Sequence, residues 1–249
     1  MINLFRKYRQ NLLLEGKKGK YLKYAIGEIF LVVIGILIAL QINNANELRK
    51  NRALLRTNIQ SIAKDISADT ILIKSVIKVL NTQIVSGKVI IPIMESDQKE
   101  VTDSLAFILA FNSMTSAPHI TENETTWNYL NASGIIAEFP DKKLLKMLQE
   151  FYYDFRALTT NYSDSGIPGR LEIRRLKYEL FSDTDHRKFF PTKTPEAPSK
   201  EVYYALFNDK RVLPLCRFIS STSIYFESRF ESLQSKAEKI ISYINKNYK

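Results

Sequence analysis

An apolar segment near the start of the chain constrains the fold more than any other feature. Residues 29–40 contain no polar side chain, and residues 25–42 include only Glu28 and Gln41 as polar positions. About 20 residues of α-helix, at roughly 1.5 Å each, cross a hydrocarbon layer of about 30 Å. The segment therefore predicts one transmembrane helix over residues 24–44. The alternative, a buried helix of a soluble protein, is disfavoured by the unbroken apolar run and its polar flanks.

The segment is predicted to remain in the mature protein. A cleavable signal peptide has a short basic start and a small-x-small cleavage site after its apolar core. Here 23 residues precede the segment, and the following sequence QINNAN, residues 41–46, lacks such a site. We therefore interpret the segment as an uncleaved membrane anchor.

The excess of positive charge is concentrated beside this anchor. The net charge is +10, and residues 1–56 hold eleven basic and three acidic residues, whereas the remainder is close to neutral. This distribution predicts the lipid bilayer, rather than nucleic acid, as a partner. More basic residues precede the anchor than follow it, so the positive-inside bias places the N-terminus in the cytoplasm. We expect an inner-membrane protein whose larger part faces the periplasm of a Gram-negative cell.

Three regions follow from this interpretation. Apolar side chains recur at spacings of three and four from Phe5 to Leu12, with basic residues between them, as in a helix lying on a membrane surface. We therefore predict a cytoplasmic basic amphipathic segment at 1–23, the transmembrane helix at 24–44 and an exported helical domain at 45–249.

Glu28, Gly35 and Ala39 share one stripe of the predicted membrane helix. The small residues Gly35 and Ala39 allow a second backbone to approach closely, so this stripe is a candidate helix–helix contact. A carboxylate within a membrane segment is a functional candidate. The alternative is that Glu28 lies near the inner edge, where it reaches the headgroups.

The residues of the anchor also resemble a known family. The run YAIGEIFLVVIGILIALQINN at 24–44, with FRK at 5–7 and LL at 12–13, is similar to the start of a family of uncharacterised single-pass membrane proteins of flavobacteria and relatives. Members usually have a tryptophan where this chain has Ala45. A looser likeness covers TWNYLNASG at 126–134. The resemblance implies a location and an architecture, and no activity.

The chain after the anchor has the periodicity of a long amphipathic helix. Apolar residues recur mostly at spacings of three and four, with Asp69 in one slot: Leu55, Ile59, Ile62, Ile66, Ile73, Val76 and Leu80. We predict that the membrane helix continues as a stalk that ends at Ser86-Gly87. The next run, residues 89–93, contains Pro92 and is predicted to be an irregular crossing.

Shorter helices are predicted farther along the chain, before a second long one. Their ranges are 96–113, 122–133, 141–160 and 169–181, with a break at 163–169 and a surface loop at 182–199. From Leu215 to Ile244 apolar residues again recur at helical spacing. Since this helix has the length to run beside the stalk, the predicted fold is all-α, with an exported antiparallel bundle on a single anchor.

The chain offers few groups for catalysis. His119 and His186 are its only histidines, and Cys216 is its only cysteine. The cluster Ser182–His186 contains two carboxylates and an imidazole, but a metal site generally needs three or four converging ligands, so we interpret the cluster as a polar loop. We therefore predict no catalytic residue, no cofactor, no metal site and no enzyme activity.

Aromatic and arginine side chains are interleaved between residues 151 and 230, and this mixture is enriched at binding hot spots. Most of these aromatics are expected to fill a helical core. Adjacent pairs cannot both face one core stripe, so the candidate partner surface comprises Tyr153, Arg156, Phe189 and Phe190.

These features favour a non-enzymatic bitopic membrane protein whose exported domain binds another envelope protein or a copy of itself. The alternative is a membrane-anchored ligand-binding sensor module that acts through a partner. An enzyme is the third hypothesis.

Overall fold

A computed structural model describes residues 18–190 and 193–248, and every regular element in these ranges is helical. This confirms the predicted all-α class. The helices are α1 Lys18–Glu95, α2 Ser104–Met114, α3 Thr125–Ala132, α4 Lys142–Asn161, α5 Ile167–Leu180, α6 Asp183–Phe189, α7 Lys200–Asn208 and α8 Val212–Asn247, with a 3₁₀ turn at Ile135–Glu138 and a π-helical turn at Tyr162–Gly166.

The chain divides into two compact units, Met1–Thr57 and Asn58–Lys249. In the first unit the apolar side chains of α1 between Ile26 and Ile42 are largely exposed. Among the described residues, one helix has the length and composition to cross a membrane. A single-pass membrane protein is therefore plausible. Most of the predicted basic amphipathic segment, residues 1–17, lies outside the described ranges.

The core of the second unit is built on the two long periodic faces. Residues of the α1 face are fully buried: Ile59, Ile62, Ile66, Ile73, Val76 and Leu80. The α8 face is buried in the same way: Ile219, Phe226, Phe230, Leu233, Ala237, Ile240 and Ile244. Both amphipathic patterns in the sequence are thus confirmed as core-facing helix surfaces.

Polar contacts also join α1 to α8 and to the residue that follows it. They link Gln60 with Tyr248 (3.2 Å), Lys74 with Glu238 (3.6 Å), Gln83 with Ser223 (2.9 Å) and Glu95 with Arg217 (2.7 Å). In this series residue numbers rise along α1 as they fall along α8. The end of α8 therefore lies beside the first residues of the unit.

The predicted end of the stalk at Ser86-Gly87 is wrong, because α1 continues to Glu95. Gly87 is buried where α8 packs closely: a Cβ built on Gly87 would lie 2.3 Å from Ser220 Oγ and 2.7 Å from Ser220 Cβ. The glycine therefore serves the packing of two helices rather than the end of one.

The predicted irregular crossing at 89–93 is also wrong, because these residues belong to α1. Pro92 removes one backbone donor close to the C-terminal end of the helix. Ile90 is fully buried and Met94 nearly so. Burial of these side chains on a helical face offsets the local cost of the proline.

The predicted break at 163–169 is a π-helical turn that joins α4 directly to α5. A Cβ built on Gly166 would lie 2.8 Å from the ring of Tyr162 and 2.9 Å from that of Phe226, so close packing requires the glycine. Pro168 lies in the first turn of α5, where its fixed φ is compatible with the helix. The residues that suggested a break thus permit a continuous helical path.

The predicted loop at 182–199 contains the short helix α6. Ser182 Oγ accepts a hydrogen bond from Asp185 N (3.2 Å), and the Asp185 carboxylate accepts one from Ser182 N (3.1 Å). This reciprocal pair is a capping box, which stabilises a helix N-terminus. Phe189, at the end of α6, is buried in the core.

Candidate functional site

A group of carboxylates lies where α1 meets the segment that leads into α3. Asp65 and Asp69 are four residues apart on α1 and therefore share one helix face. Glu122 and Glu124 come from the connection between α2 and α3. We call these four residues the carboxylate cluster. Asp69 is only 2% exposed, although aspartate is rarely buried in folded proteins.

The cluster caps the N-terminus of α3 from another helix. Asn123 N donates to Asp69 Oδ1 (2.9 Å), and Thr126 N donates to Asp65 Oδ2 (3.2 Å). Glu124 stands at the N-cap position of α3 but makes no capping hydrogen bond with its own side chain. The aspartates of α1 therefore supply the acceptors that the first turn of α3 needs.

Arg156 of α4 covers the outer side of the cluster. Its Nη2 lies 2.6 Å from Glu124 Oε1, and its Nε lies 3.9 Å from Glu122 Oε1. Thr159, one turn later, donates from Oγ1 to Glu122 Oε2 (3.4 Å). Since the Arg156 side chain is more than half exposed, these ion pairs contribute little to stability.

Electrostatics distinguish Asp69 from the rest of the cluster. Burial raises the pKa of the Asp69 carboxyl from 3.8 to about 6; the hydrogen bond from Asn123 N opposes this rise, and the negative charges of Asp65, Glu122 and Glu124 add to it. A carboxyl group with this pKa gains or loses its proton near neutral pH.

Two buried oxygen atoms in this region have no hydrogen-bond partner in the part of the chain that the structure describes. They are Asp69 Oδ2 and Tyr152 Oη. Burial, and then the charges of Asp69, Asp65 and Glu124, raise the pKa of Tyr152. The Tyr152 ring stacks on Trp127 of α3, with ring centroids 5.0 Å apart. The described part of the chain holds no group of three or more His, Cys, Asp or Glu side chains placed to bind a metal ion.

A second buried polar centre is formed by Arg170 of α5, which is fully buried. Its guanidinium donates to Gln83 Oε1 (3.0 Å), Gly166 O (2.6 Å), Thr222 Oγ1 (3.3 Å) and Ser223 Oγ (2.7 Å). Burial lowers the pKa of Arg170. All four acceptors are neutral, and together they connect α1, α8 and the π-helical turn through one side chain.

The predicted partner surface is only partly exposed. Tyr153 is 75% exposed and Arg156 is also exposed, and the two lie on the outer side of α4. Phe189 is buried and Phe190 is half-buried, because both pack in or against the core. Phe189 is therefore corrected to a core residue, and the surface reduces to the α4 residues with the edge of Phe190.

A groove of about 450 Å³ lies between α4 and α8, and Asp154, the neighbour of Tyr153 in the sequence, is part of its α4 side. Leu158 and Leu233 lie along it, and Tyr225, Arg229 and Lys236 line its α8 side. The Arg229 guanidinium lies 5.2 Å from the centre of the Tyr225 ring. The groove thus has a mixed lining, in which two leucines and the ion pair of Lys236 with Asp154 lie near a cation held against an aromatic face.

For the three residues of the stripe predicted on the membrane helix, the structure gives their exposure and the free space around them. Ala39 is exposed, Glu28 is half-buried, and a Cβ built on Gly35 would meet no atom within 4 Å. The helix–helix contact through these residues stays a prediction.

The two histidines and the cysteine contact neighbouring side chains and backbone atoms of the fold. His186 stacks on Tyr178 with ring centroids 4.4 Å apart, and its Nε2 lies 3.2 Å from Lys177 O. His119 Nε2 lies 2.9 Å from Thr121 Oγ1. Cys216 is buried, and burial raises the pKa of its thiol to about 12. A thiol in this state is a poor nucleophile at neutral pH.

Sequence reasoning missed the two buried polar centres. Asp69 occupies an apolar slot in the α1 periodicity, and Arg170 lies three residues before Ile173 on the apolar face of α5. A charged residue at a core position is the signal that could have identified both, because such residues are buried only with specific partners.

Comparisons with known proteins place the chain in a family without assigning an activity. No curated protein and no solved structure matches it significantly. A sequence profile of one family matches residues 28–162, more than half of the chain, and this range includes the carboxylate cluster but not Arg170. The chain therefore belongs to the family of unknown function DUF6090.

Proposed function

We propose that this chain is a non-enzymatic, bitopic inner-membrane protein. Its periplasmic domain is an antiparallel helical bundle that mediates interaction with another envelope protein, or self-association. The apolar, exposed part of α1 supports the membrane anchor, and the separate core of residues 58–249 supports a domain outside the bilayer.

The observation that carries the interaction role is the exposure of Tyr153. A tyrosine that is 75% exposed is a large apolar surface in contact with water; Arg156 is one turn later on α4, and Asp154, the next residue, lines the α4–α8 groove. Tyrosine and arginine dominate the energetics of many protein interfaces. Tyr225 and Arg229 on the other side of the groove extend this chemistry to a second helix.

Photo-crosslinking in native membranes tests this surface. A photoreactive amino acid replaces Tyr153 in the full-length chain, and a second variant carries it at Tyr178, which is 66% exposed on α5. We expect a light-dependent adduct of defined mass at position 153 and none at 178. Mass spectrometry then distinguishes a second copy of the chain from another protein. No adduct at 153, or equal adducts at both positions, would contradict the proposal.

Topology is tested independently of the partner. Alkaline phosphatase fused to the C-terminus is active only when it is exported, so we expect activity together with resistance of the protein to alkaline carbonate extraction. A cytoplasmic C-terminus, or release of the intact chain by carbonate, would overturn the proposed location.

The groove favours the sensor module as a second candidate function. Its volume suits a small molecule, and its lining combines Leu158 and Leu233 with Tyr225 and Arg229, which suits an apolar ligand with an anionic group. A ligand screen by thermal shift tests this candidate. A rise in melting temperature that Arg229→Gln abolishes, in a chain purified as a monomer, would favour the sensor over the interaction module.

A further inference from the structure

Three arginines lie on α1 directly after the apolar segment. Arg49, Arg52 and Arg56 are all exposed, and none of them forms an ion pair or hydrogen bond with a described residue. The nearest acidic residue, Glu47, instead accepts a hydrogen bond from Asn43 Nδ2 (3.4 Å). These positive charges therefore have no partner among residues 18–190 and 193–248.

Helix geometry places the three arginines on one face. A helix turns by about 100° per residue, so Arg49, Arg52 and Arg56 fall within an arc of about 60°. Glu47 lies at least about 140° from each of them by the same geometry. The result is a continuous basic face of about two turns, which we call the exit-side arginine face.

The distance from the apolar segment brings this face to the membrane surface. Arg49 follows Ile42, the last apolar residue of the segment, by about 10 Å along the helix, Arg52 follows it by about 15 Å, and Arg56 by about 21 Å. Side chains on a helix tilt toward its N-terminus, which here means back toward the bilayer. The long side chains of Arg49 and Arg52 reach the headgroup layer in this way, and Arg56 adds positive charge farther from the surface.

Guanidinium groups are suited to phosphate. Arginine binds phosphate oxygens through two parallel N–H donors, which lysine cannot do. Basic residues after the anchor also weaken the charge asymmetry that sets its orientation. A favourable interaction of these residues on the exported side would compensate for the weaker orientation signal. An anionic headgroup in the adjacent leaflet supplies such an interaction.

We propose that Arg49 and Arg52, supported by the positive charge of Arg56, bind the phosphate groups of anionic phospholipids in the exported leaflet of the membrane that holds α1. This inference rests on the proposed membrane insertion of α1. It adds a lipid site on the side opposite to the basic N-terminal segment.

The test compares lipid selectivity in bilayers. The full-length chain is reconstituted into vesicles of phosphatidylcholine and phosphatidylglycerol, and spin-labelled lipids report the association constant of each at the protein surface. One basic residue near an anionic surface contributes roughly a five-fold increase in binding. We expect R49Q/R52Q/R56Q to lose at least about five-fold of the selectivity for phosphatidylglycerol.

Two further variants serve as controls. K64Q/K78Q/K88Q removes the same charge from exposed positions farther along α1, and we expect it to keep the selectivity of the wild type. R49K/R52K/R56K keeps the charge and loses the paired donors, and we expect an intermediate value. The basic residues before the anchor are present in every variant, so they contribute equally to all measurements.

The outcomes separate this inference from the proposed function. Equal selectivity of R49Q/R52Q/R56Q and the wild type, in protein that resists carbonate extraction, overturns the lipid site and leaves the membrane anchor intact. Extraction of the wild-type chain by carbonate overturns both. Displacement of phosphatidylglycerol by inorganic phosphate would show that the arginines bind free phosphate. If R49Q/R52Q/R56Q loses a photo-crosslink to an acidic protein while its lipid selectivity is unchanged, the arginines bind a protein instead. Either result overturns the lipid site.

Discussion

Replacement of Asp69 by asparagine should change the pH dependence of stability. The pKa of Asp69 is about 6 in the folded chain and 3.8 when solvated, and a difference of one pKa unit corresponds to about 1.4 kcal/mol. Ionisation of Asp69 in the folded chain therefore costs about 3 kcal/mol. The folded state holds the Asp69 proton more tightly than the unfolded state does, so protonated Asp69 adds to the free energy of unfolding. This contribution is complete below pH 3.8, decreases as the pH rises toward 6 and is lost above it.

Asp69→Asn cannot ionise, and its amide oxygen can still accept from Asn123 N. We expect the variant to match the wild type near pH 4 and to exceed its free energy of unfolding by up to about 3 kcal/mol at pH 7. Urea denaturation in detergent micelles measures this, with the fluorescence of Trp127, the single tryptophan, as the reporter. Exposed Asp97→Asn is the control. An equal difference between Asp69→Asn and the wild type at both pH values would refute the reasoning.

Three further substitutions test the packing of the second unit. Arg170→Met should lower the free energy of unfolding by roughly 3 kcal/mol, because the buried acceptors Gly166 O, Ser223 Oγ and Gln83 Oε1 each lose a hydrogen bond; a loss below 1 kcal/mol in urea denaturation would contradict this. Gly87→Ala should cost about 1–3 kcal/mol through its contact with Ser220, and Ser220→Gly in the same chain should recover most of that loss in a double-mutant cycle. Arg156→Gln should cost less than about 1 kcal/mol, because its ion pairs are exposed, and a melting-temperature comparison with the wild type checks this.

Much of the fold follows from hydrophobic periodicity. The α1 and α8 faces were predictable because their apolar residues recur at helical spacing over many turns, and no tertiary contact is needed to recognise that pattern. The exposed apolar part of α1 was predictable for a similar reason, since a long apolar run has few alternatives in a folded chain.

The errors occur where local and tertiary preferences conflict. Gly87, Pro92 and Gly166 are residues that interrupt helices in isolation, and the sequence alone does not reveal the neighbouring helices that require them. The short helix α6 was missed because its capping box resembles a polar loop, and its stability depends on the burial of Phe189.

The candidate site was less accessible to prediction than the fold. Arg156 was selected for its aromatic neighbours in the sequence, whereas its ion-pair partners Glu122 and Glu124 are more than 30 residues away. In the sequence, Asp69 stood out only as a charged residue at an apolar position of the α1 periodicity. Its raised pKa depends on burial and on charges from another segment, which periodicity does not describe.

The number of residues in the π-helical turn at 162–166, more than their identity, sets the orientation of α5. Such a turn contains one residue more than an α-helical turn, and each residue rotates the following helix by about 100°. Ser163, Asp164 and Ser165 are exposed, so substitutions there should be tolerated. Deleting any one of them would instead restore α-helical periodicity and swing Arg170 away from α8, so insertions and deletions in homologous chains should be rare at this point.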